Sequence, residues 1–272
     1  MPTPSPNFAQ LKSNMKSTWM AGDFGQIAVH AAHAAVEFIQ RTSIKPGARL
    51  LDVACGTGNV SIPAAKAGAN VTGVDIAPNL LEQAKQRAKA EGLNIRFDEG
   101  DAEDLPYAEG EFDIVATMFG AMFAPRPERT AAELIRVCKP GGLIAMANWT
   151  PEGFVGKSFQ LTSKFAPPPP GVPPPVLWGD ETTVRQRFAQ GISDLKLTRH
   201  MVPFNFPFSP KEVVALFRKY FGPTQRTFAR LDPSTQEKLA IELEKQWAEH
   251  NQSPDGSTRI DAEYLDVRAI RA

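Results

Sequence analysis

Short apolar runs and amphipathic segments take turns along residues 49–149. Segments 49–54, 71–75, 95–98, 112–117 and 143–149 are apolar over most of their length, the pattern of strands covered on both faces of a parallel sheet. Between them, 60–67, 79–91 and 128–137 repeat apolar residues at helical spacing and close on Gly68, Gly92 and the turn Lys139-Pro140-Gly141-Gly142. Pro63 falls in the first turn of its segment, where a missing N–H does least harm. Strand and helix alternating at this spacing predict consecutive βαβ units.

The flanks read differently. Residues 26–41 predict one helix, with Ile27, Ala31, Ala34, Ala35 and Phe38 on an apolar stripe and Gln26, His30, His33, Glu37 and Gln40 opposite. Ahead of it, Pro2, Pro4 and Pro6 alternate with small polar residues, so about the first 20 residues are expected to be a loose arm. After Trp149 the rhythm stops, and seven prolines within 166–175 predict an extended, polyproline-like crossover or lid. Helices are expected at 181–190, 210–220 and 234–251, and strands at 195–202 and 264–270. The fold class is therefore α/β, with a mostly parallel sheet of seven strands and a helical, Pro-rich cover. Residues 1–25 are expected to form an N-terminal arm and potential lid, 26–150 the ligand-binding core, and 151–272 the cover helices with the last two strands of the same sheet.

Charge narrows the choice of partner. Lys+Arg and Asp+Glu number 30 each, so no global field draws in nucleic acid or anionic membranes. Cys55 and Cys138 are the only cysteines, and neither stands in a CxxC pair or at ligand spacing from a histidine. Neither a disulfide framework nor a metal site is expected. Residues 1–16 lack the apolar stretch of a signal peptide, and no run approaches the roughly 18 apolar residues that span a bilayer. The expected setting is cytoplasmic, with no membrane span.

The sharpest chemical signal is Leu50-Leu51-Asp52-Val53-Ala54-Cys55-Gly56-Thr57-Gly58-Asn59, a strand that runs into a glycine turn and then a helix. Gly56 and Gly58 let the backbone turn tightly and approach a ligand that a Cβ would obstruct. Asp75, at the end of the next strand, suits a carboxylate that accepts from both hydroxyls of a ribose. A dinucleotide also fits this much. Its fingerprint asks for a third glycine, however, and this chain has Ser61 there with Pro63 close behind, whereas a dinucleotide needs the helix start clear for its pyrophosphate. The pattern favours a nucleoside without phosphate.

Five pieces in order, LLDVACGTGN, VTGVDIA, EGDAEDLPY, FDIVATMFG and the KPGG turn before LIAMANW, make residues 49–150 similar to the core of the class I S-adenosylmethionine (SAM)-dependent methyltransferases. The resemblance is to the small-molecule branch related to ubiquinone and menaquinone C-methyltransferases. It implies a Rossmann-like, seven-stranded, mostly parallel sheet with an antiparallel edge strand, SAM as cofactor, with S-adenosylhomocysteine as product, and a methyl group passed to a small acceptor by in-line displacement. It further implies that Asp52 and the loop Ala54, Cys55, Gly56, Thr57 and Gly58 hold the methionyl part, Thr57 adding a side-chain hydrogen bond. Asp75 would hold the ribose, with Ile76 against the adenine. Asp101 would accept from the adenine amino group, the Ala102 N–H would meet a ring nitrogen, and Met118 would lie near the methionyl chain.

One departure bears on the acceptor. Many nucleic-acid and protein amide methyltransferases carry an Asn/Asp-Pro-Pro-Tyr/Phe loop after the fourth strand, where this chain reads Met118-Phe119-Gly120-Ala121-Met122-Phe123. A greasy loop there points away from nucleic-acid bases and towards an apolar or aromatic small molecule. Phe119, Met122, Phe123, Trp178, Trp19 and Phe24 are the expected pocket residues. His30 and His33 are weak candidates for a general base; their place on the polar stripe better suits a solvated face, so no base is assigned. Two other classes stay open: a SAM-binding protein without catalysis, and an NAD(P)-dependent oxidoreductase.

Overall fold

In the computed structural model, which describes residues 7–272, the apolar runs assemble into one seven-stranded sheet. The strands are β1 (Arg49–Val53), β2 (Asn70–Asp75), β3 (Arg96–Glu99), β4 (Phe112–Met118), β5 (Cys138–Trp149), β6 (Ile192–Phe206) and β7 (Thr258–Arg271), in the order β3-β2-β1-β4-β5-β7-β6. The pairs among β1 to β5 are parallel, and β7 runs antiparallel to both β5 and β6. The antiparallel member thus lies at the expected end of the sheet, one strand in from the rim. Leu50, Leu51 and Val53 of β1 are fully buried, which is why this strand can be apolar on both faces.

The core helices are α3 (Ala32–Gln40), α4 (Ser61–Lys66), α5 (Pro78–Ala90), α6 (Pro127–Val137) and α8 (Glu181–Arg187). A second group forms the cover: α1 (Phe8–Trp19), α2 (Gly25–Ala28), α7 (Phe154–Phe165), α9 (Pro210–Tyr220), α10 (Gly222–Ala229) and α11 (Pro233–His250). In this group α11 packs on α7 and α9, and α1 packs on α10. Among the described residues, no helix is long and apolar enough to cross a membrane.

Several local expectations are corrected. The loose arm is a helix from residue 8 onwards: Asn7 caps α1 by accepting from the Gln10 N–H at 3.1 Å, and Lys12 pairs at 2.7 Å with the buried Glu103. Residues 1–6, which carry the three prolines, lie outside the described residues. The single helix over 26–41 is broken into α2, a 3₁₀ turn at Val29–Ala31 and α3. At the break His30 is drawn off the helix axis, its Nδ1 3.0 Å from the Asn205 carbonyl oxygen and its ring 4.3 Å from that of Phe206, so a tertiary contact overrides local periodicity. The Lys139–Gly142 stretch is the bulged start of β5, not a free turn, with Gly141 at φ 74° and a register shift opposite Phe112 and Ile114. Helices α7 and α10 were not expected, and β6 and β7 extend well beyond the alternation that signals them.

Candidate active site

At the head of β1 the chain enters the left-handed region three times, at Ala54 (φ 55°), Gly56 (φ 53°) and Gly58 (φ 82°). Glycine does this at little cost; for Ala54 it is strained, and such strain gathers where backbone must serve a ligand. Phe119, just after β4, is the other strained non-glycine residue nearby (φ 61°). Gly120 explains how the two approach: a Cβ there would stand 2.5 Å from the Ala54 carbonyl oxygen.

Two carboxylates anchor this loop. Asp75 Oδ2 accepts from the Gly56 N–H at 2.8 Å, and its Oδ1 accepts from the Ala77 N–H at 2.9 Å. Each oxygen keeps a further lone pair. Asp52 Oδ2 accepts from Ser61 Oγ at 2.6 Å. Burial pushes Asp52 up to about 7, against the opposing hydrogen bonds from Ser61 and with a further push from the charge of Asp75. Asp75 is also raised by burial, and the N–H groups of Ala77, Gly56 and Ile76 oppose the shift. Neither carboxylate has an ion-pair partner among the described residues. Burial likewise pushes the Cys55 thiol far up, so it is inert as a nucleophile.

Both carboxylates face one cavity. Asp52, Ala54, Cys55, Gly56, Thr57, Asp75, Ile76 and Met118, all singled out from the sequence, are brought together on its near half, with Asn59, Leu80 and Gly100 beside them. Its far half is walled by aromatic and aliphatic side chains of the cover. Trp19, Phe24, Phe119 and Phe123 reach it, and Phe119 stacks flat on Trp149 at 3.6 Å. Phe154, Phe159, Phe204, Phe217, Phe221 and Trp247 complete the wall. The abundance of aromatics after residue 150 signals such a surface, but nothing in the local pattern tells which of them turn inward.

The remaining residues singled out from the sequence lie off the cavity wall. Gly58 faces α5, with a would-be Cβ 3.4 Å from the Ala84 Cβ. Asp101 is held by Lys12 of α1 and accepts from the Glu103 N–H, and Ala102 beside it packs on the core. Met122 and Trp178 are buried in the core, where Arg187 covers the Trp178 ring at 4.4 Å. His30 is tethered to β6, as described, and His33 is exposed.

The cover is sewn together from both ends of the chain. The Asp23 N–H donates to the Tyr220 carbonyl at 3.0 Å, and Gly22 bridges to Phe221 in antiparallel fashion. Gln83 Nε2 of α5 reaches Asp23 Oδ1 at 3.2 Å, which ties the segment to the core. The Trp19 ring meets Phe123 at 5.1 Å, Phe221 at 5.8 Å and Phe24 at 5.9 Å, each edge to face.

Against known proteins, residues 50–142 match a family model described as a methyltransferase domain. The chain is 41% identical over 231 residues to the uncharacterized protein Rv1403c of Mycobacterium tuberculosis, covering 84% of each. It is 41% identical over 105 residues to the demethylmenaquinone methyltransferase of Renibacterium salmoninarum, over 39% of this chain and 43% of that one. The crystal structure of the Bacillus YcgJ protein superposes with a TM-score of 0.63 at 19% identity, over 88% of this chain and 98% of that one, which is a likeness of fold.

Proposed function

The chain belongs to the class I SAM-dependent methyltransferases, and from that premise we propose that it methylates a small, apolar or aromatic molecule held in the far half of the cavity. The observation that carries this reading is the continuity of one cavity from the Asp52 and Asp75 carboxylates to a wall of aromatic rings. The near half suits SAM. Two buried carboxylates without a cation partner favour a ligand with an ammonium, a sulfonium and hydroxyl donors. The left-handed loop between them brings bare backbone to the wall.

When bound, SAM supplies a methyl group already activated on a positively charged sulfur. The chain's part is then to bind, orient and keep out water. Asp75 has the lone pairs to accept ribose hydroxyls, and Asp52 with the loop Ala54 to Thr57 is set for the methionyl tail. Gly100 lines the cavity next to Asp101, so on this reading adenine lies towards that end, within reach of Asp101 and Ala102 only if the pairing of Asp101 with Lys12 yields. The aromatic wall sets the acceptor's plane and excludes water, so orientation supplies most of the acceleration. The polar groups of the α7 wall add no base: Ser158 Oγ donates to the Phe154 carbonyl at 3.0 Å, and Thr162 Oγ1 to the Ser158 carbonyl at 2.8 Å. The acceptor therefore brings its own nucleophile, as an enolate, phenolate or thiolate does. That the Renibacterium relative is a demethylmenaquinone methyltransferase agrees with an aromatic acceptor.

The test is a screen of aromatic, quinone-like and thiol acceptors with SAM, scored by S-adenosylhomocysteine release. Turnover with members of one such class supports the reading. SAM binding without turnover of any acceptor favours a binding protein instead.

A further inference from the structure

The glycine loop is held from behind by a cation that no sequence motif marks. Arg87, in the last turn of α5, directs Nη1 at the Thr57 carbonyl (2.6 Å), at Asn59 Oδ1 (2.7 Å) and at Thr57 Oγ1 (3.1 Å). Its guanidinium has no carboxylate within ion-pair distance among the described residues. It gives its donors to neutral oxygens of the loop, and burial pulls its pKa down, with the charge of Glu91 opposing. A partly desolvated charge without a counter-ion is costly and calls for an anion.

Thr57 supplies the link. The residue is buried and lines the cavity, and its hydroxyl accepts from Arg87, so the hydroxyl proton is left to donate elsewhere. No protein acceptor takes that proton among the described hydrogen bonds. The other charges at this end, Asp52 and Asp75, repel an anion. Arg87, in direct contact with the loop, is thus a cation that can favour one.

We propose that Arg87 is a positioning residue that holds the loop in shape and, through the Thr57 hydroxyl, favours the carboxylate of the methionyl tail. The ammonium of the same tail is left to Asp52. This rests on the reading of the near half as a SAM site. Arg87 touches no ligand atom itself; its effect is carried by Thr57 and by its charge across one residue.

Calorimetry with S-adenosylhomocysteine and with its decarboxylated analogue tests the proposal without requiring an acceptor. The native chain is expected to prefer the carboxylate-bearing ligand by on the order of tenfold, the effect of one charge-assisted hydrogen bond. Arg87→Met and Thr57→Val are each expected to narrow that preference, weakening the carboxylate-bearing ligand several-fold more than the decarboxylated one. The double variant should bind no worse than either single one, because both act on one interaction. Thr57→Val keeps the side chain's shape, so it remains decisive if Arg87→Met unfolds. Equal weakening of both ligands makes Arg87 a structural brace only and overturns the proposal, as does a preference that either variant leaves unchanged. Failure of the native chain to bind either ligand overturns the SAM-site reading itself.

Discussion

The backbone N–H of Gly56 donates to the side chain of Asp75 at 2.8 Å, so the residue at the tip of β2 shapes the loop that follows β1. A ligand carboxylate acceptor is usually thought of as waiting for its ligand. Here the same oxygens already brace the cradle, with spare lone pairs left for hydroxyls.

Replacing Asp75 therefore has two effects. Asp75→Ala is expected to weaken SAM at least tenfold, from the loss of charge-assisted bonds of about 1.5 to 3 kcal/mol each. It should also lower stability, by about 1 to 3 kcal/mol for each buried N–H left without a partner. Calorimetry together with chemical denaturation separates the two; unchanged affinity in a folded variant removes Asp75 from the site.

Gly56 makes a claim about the backbone. A Cβ there would meet nothing closer than the Phe24 ring at 3.9 Å, yet φ is 53°. Space is available and conformation is not. Gly56→Ala is expected to cost about 1 to 2 kcal/mol of stability from left-handed strain, and Gly56→Val more, with SAM binding lost as the loop shifts. Melting curves and calorimetry on both variants check this, and normal binding by Gly56→Val places the ligand elsewhere.

Asp52 predicts a pH dependence. Its folded-state value is raised from 3.8 to about 7, so between these values the folded chain holds a proton that the unfolded chain has released. Stability is then lost as pH climbs from about 4 to 7 and levels off above. Asp52→Asn is expected to show a shallower slope in denaturation series across pH, the remainder coming from Asp75, which burial also raises. In the native chain SAM affinity should rise through pH 7, as Asp52 ionises and can face the ligand's ammonium; a flat affinity profile takes Asp52 out of contact with that group.

The N-terminal segment is expected to act as part of the roof. Without residues 1–25 the aromatic half of the cavity loses Trp19 and Phe24, and SAM should bind more weakly and any acceptor turn over far more slowly. In the intact chain SAM should slow proteolysis within residues 20–25. Full activity of the truncated chain, with no protection, reduces the segment to a tail.

The near half of the site was legible because its chemistry is local: Asp52, Gly56, Thr57 and Asp75 lie on or beside two consecutive strands, and a βαβ unit can place them only one way. The far half was not. Trp178 and Phe204 are both buried aromatics after residue 150, yet one packs under Arg187 and the other faces the cavity, a difference fixed by how the cover helices settle. Helix α1 was hidden by the three prolines ahead of Asn7, whose composition dominates the window although the helix starts after them. Arg87 was invisible for the opposite reason: it reads as one more basic residue in a polar helix, and only the bend of the loop gives it partners.

The bridge between Gly22 and Phe221 has a consequence for how the protein comes into being. A ribosome that has made the first 150 residues has released everything needed for the crevice between β1 and β2, but the partner of the roof's first half is still some 70 residues from being translated. Until α9 and α10 emerge, Trp19 and Phe24 have no Phe221 to close against, and the newborn chain exposes an oily surface beside a finished nucleoside cradle. Contacts so distant in sequence form late, so the nascent protein should be able to hold its nucleoside before it can enclose anything to be methylated.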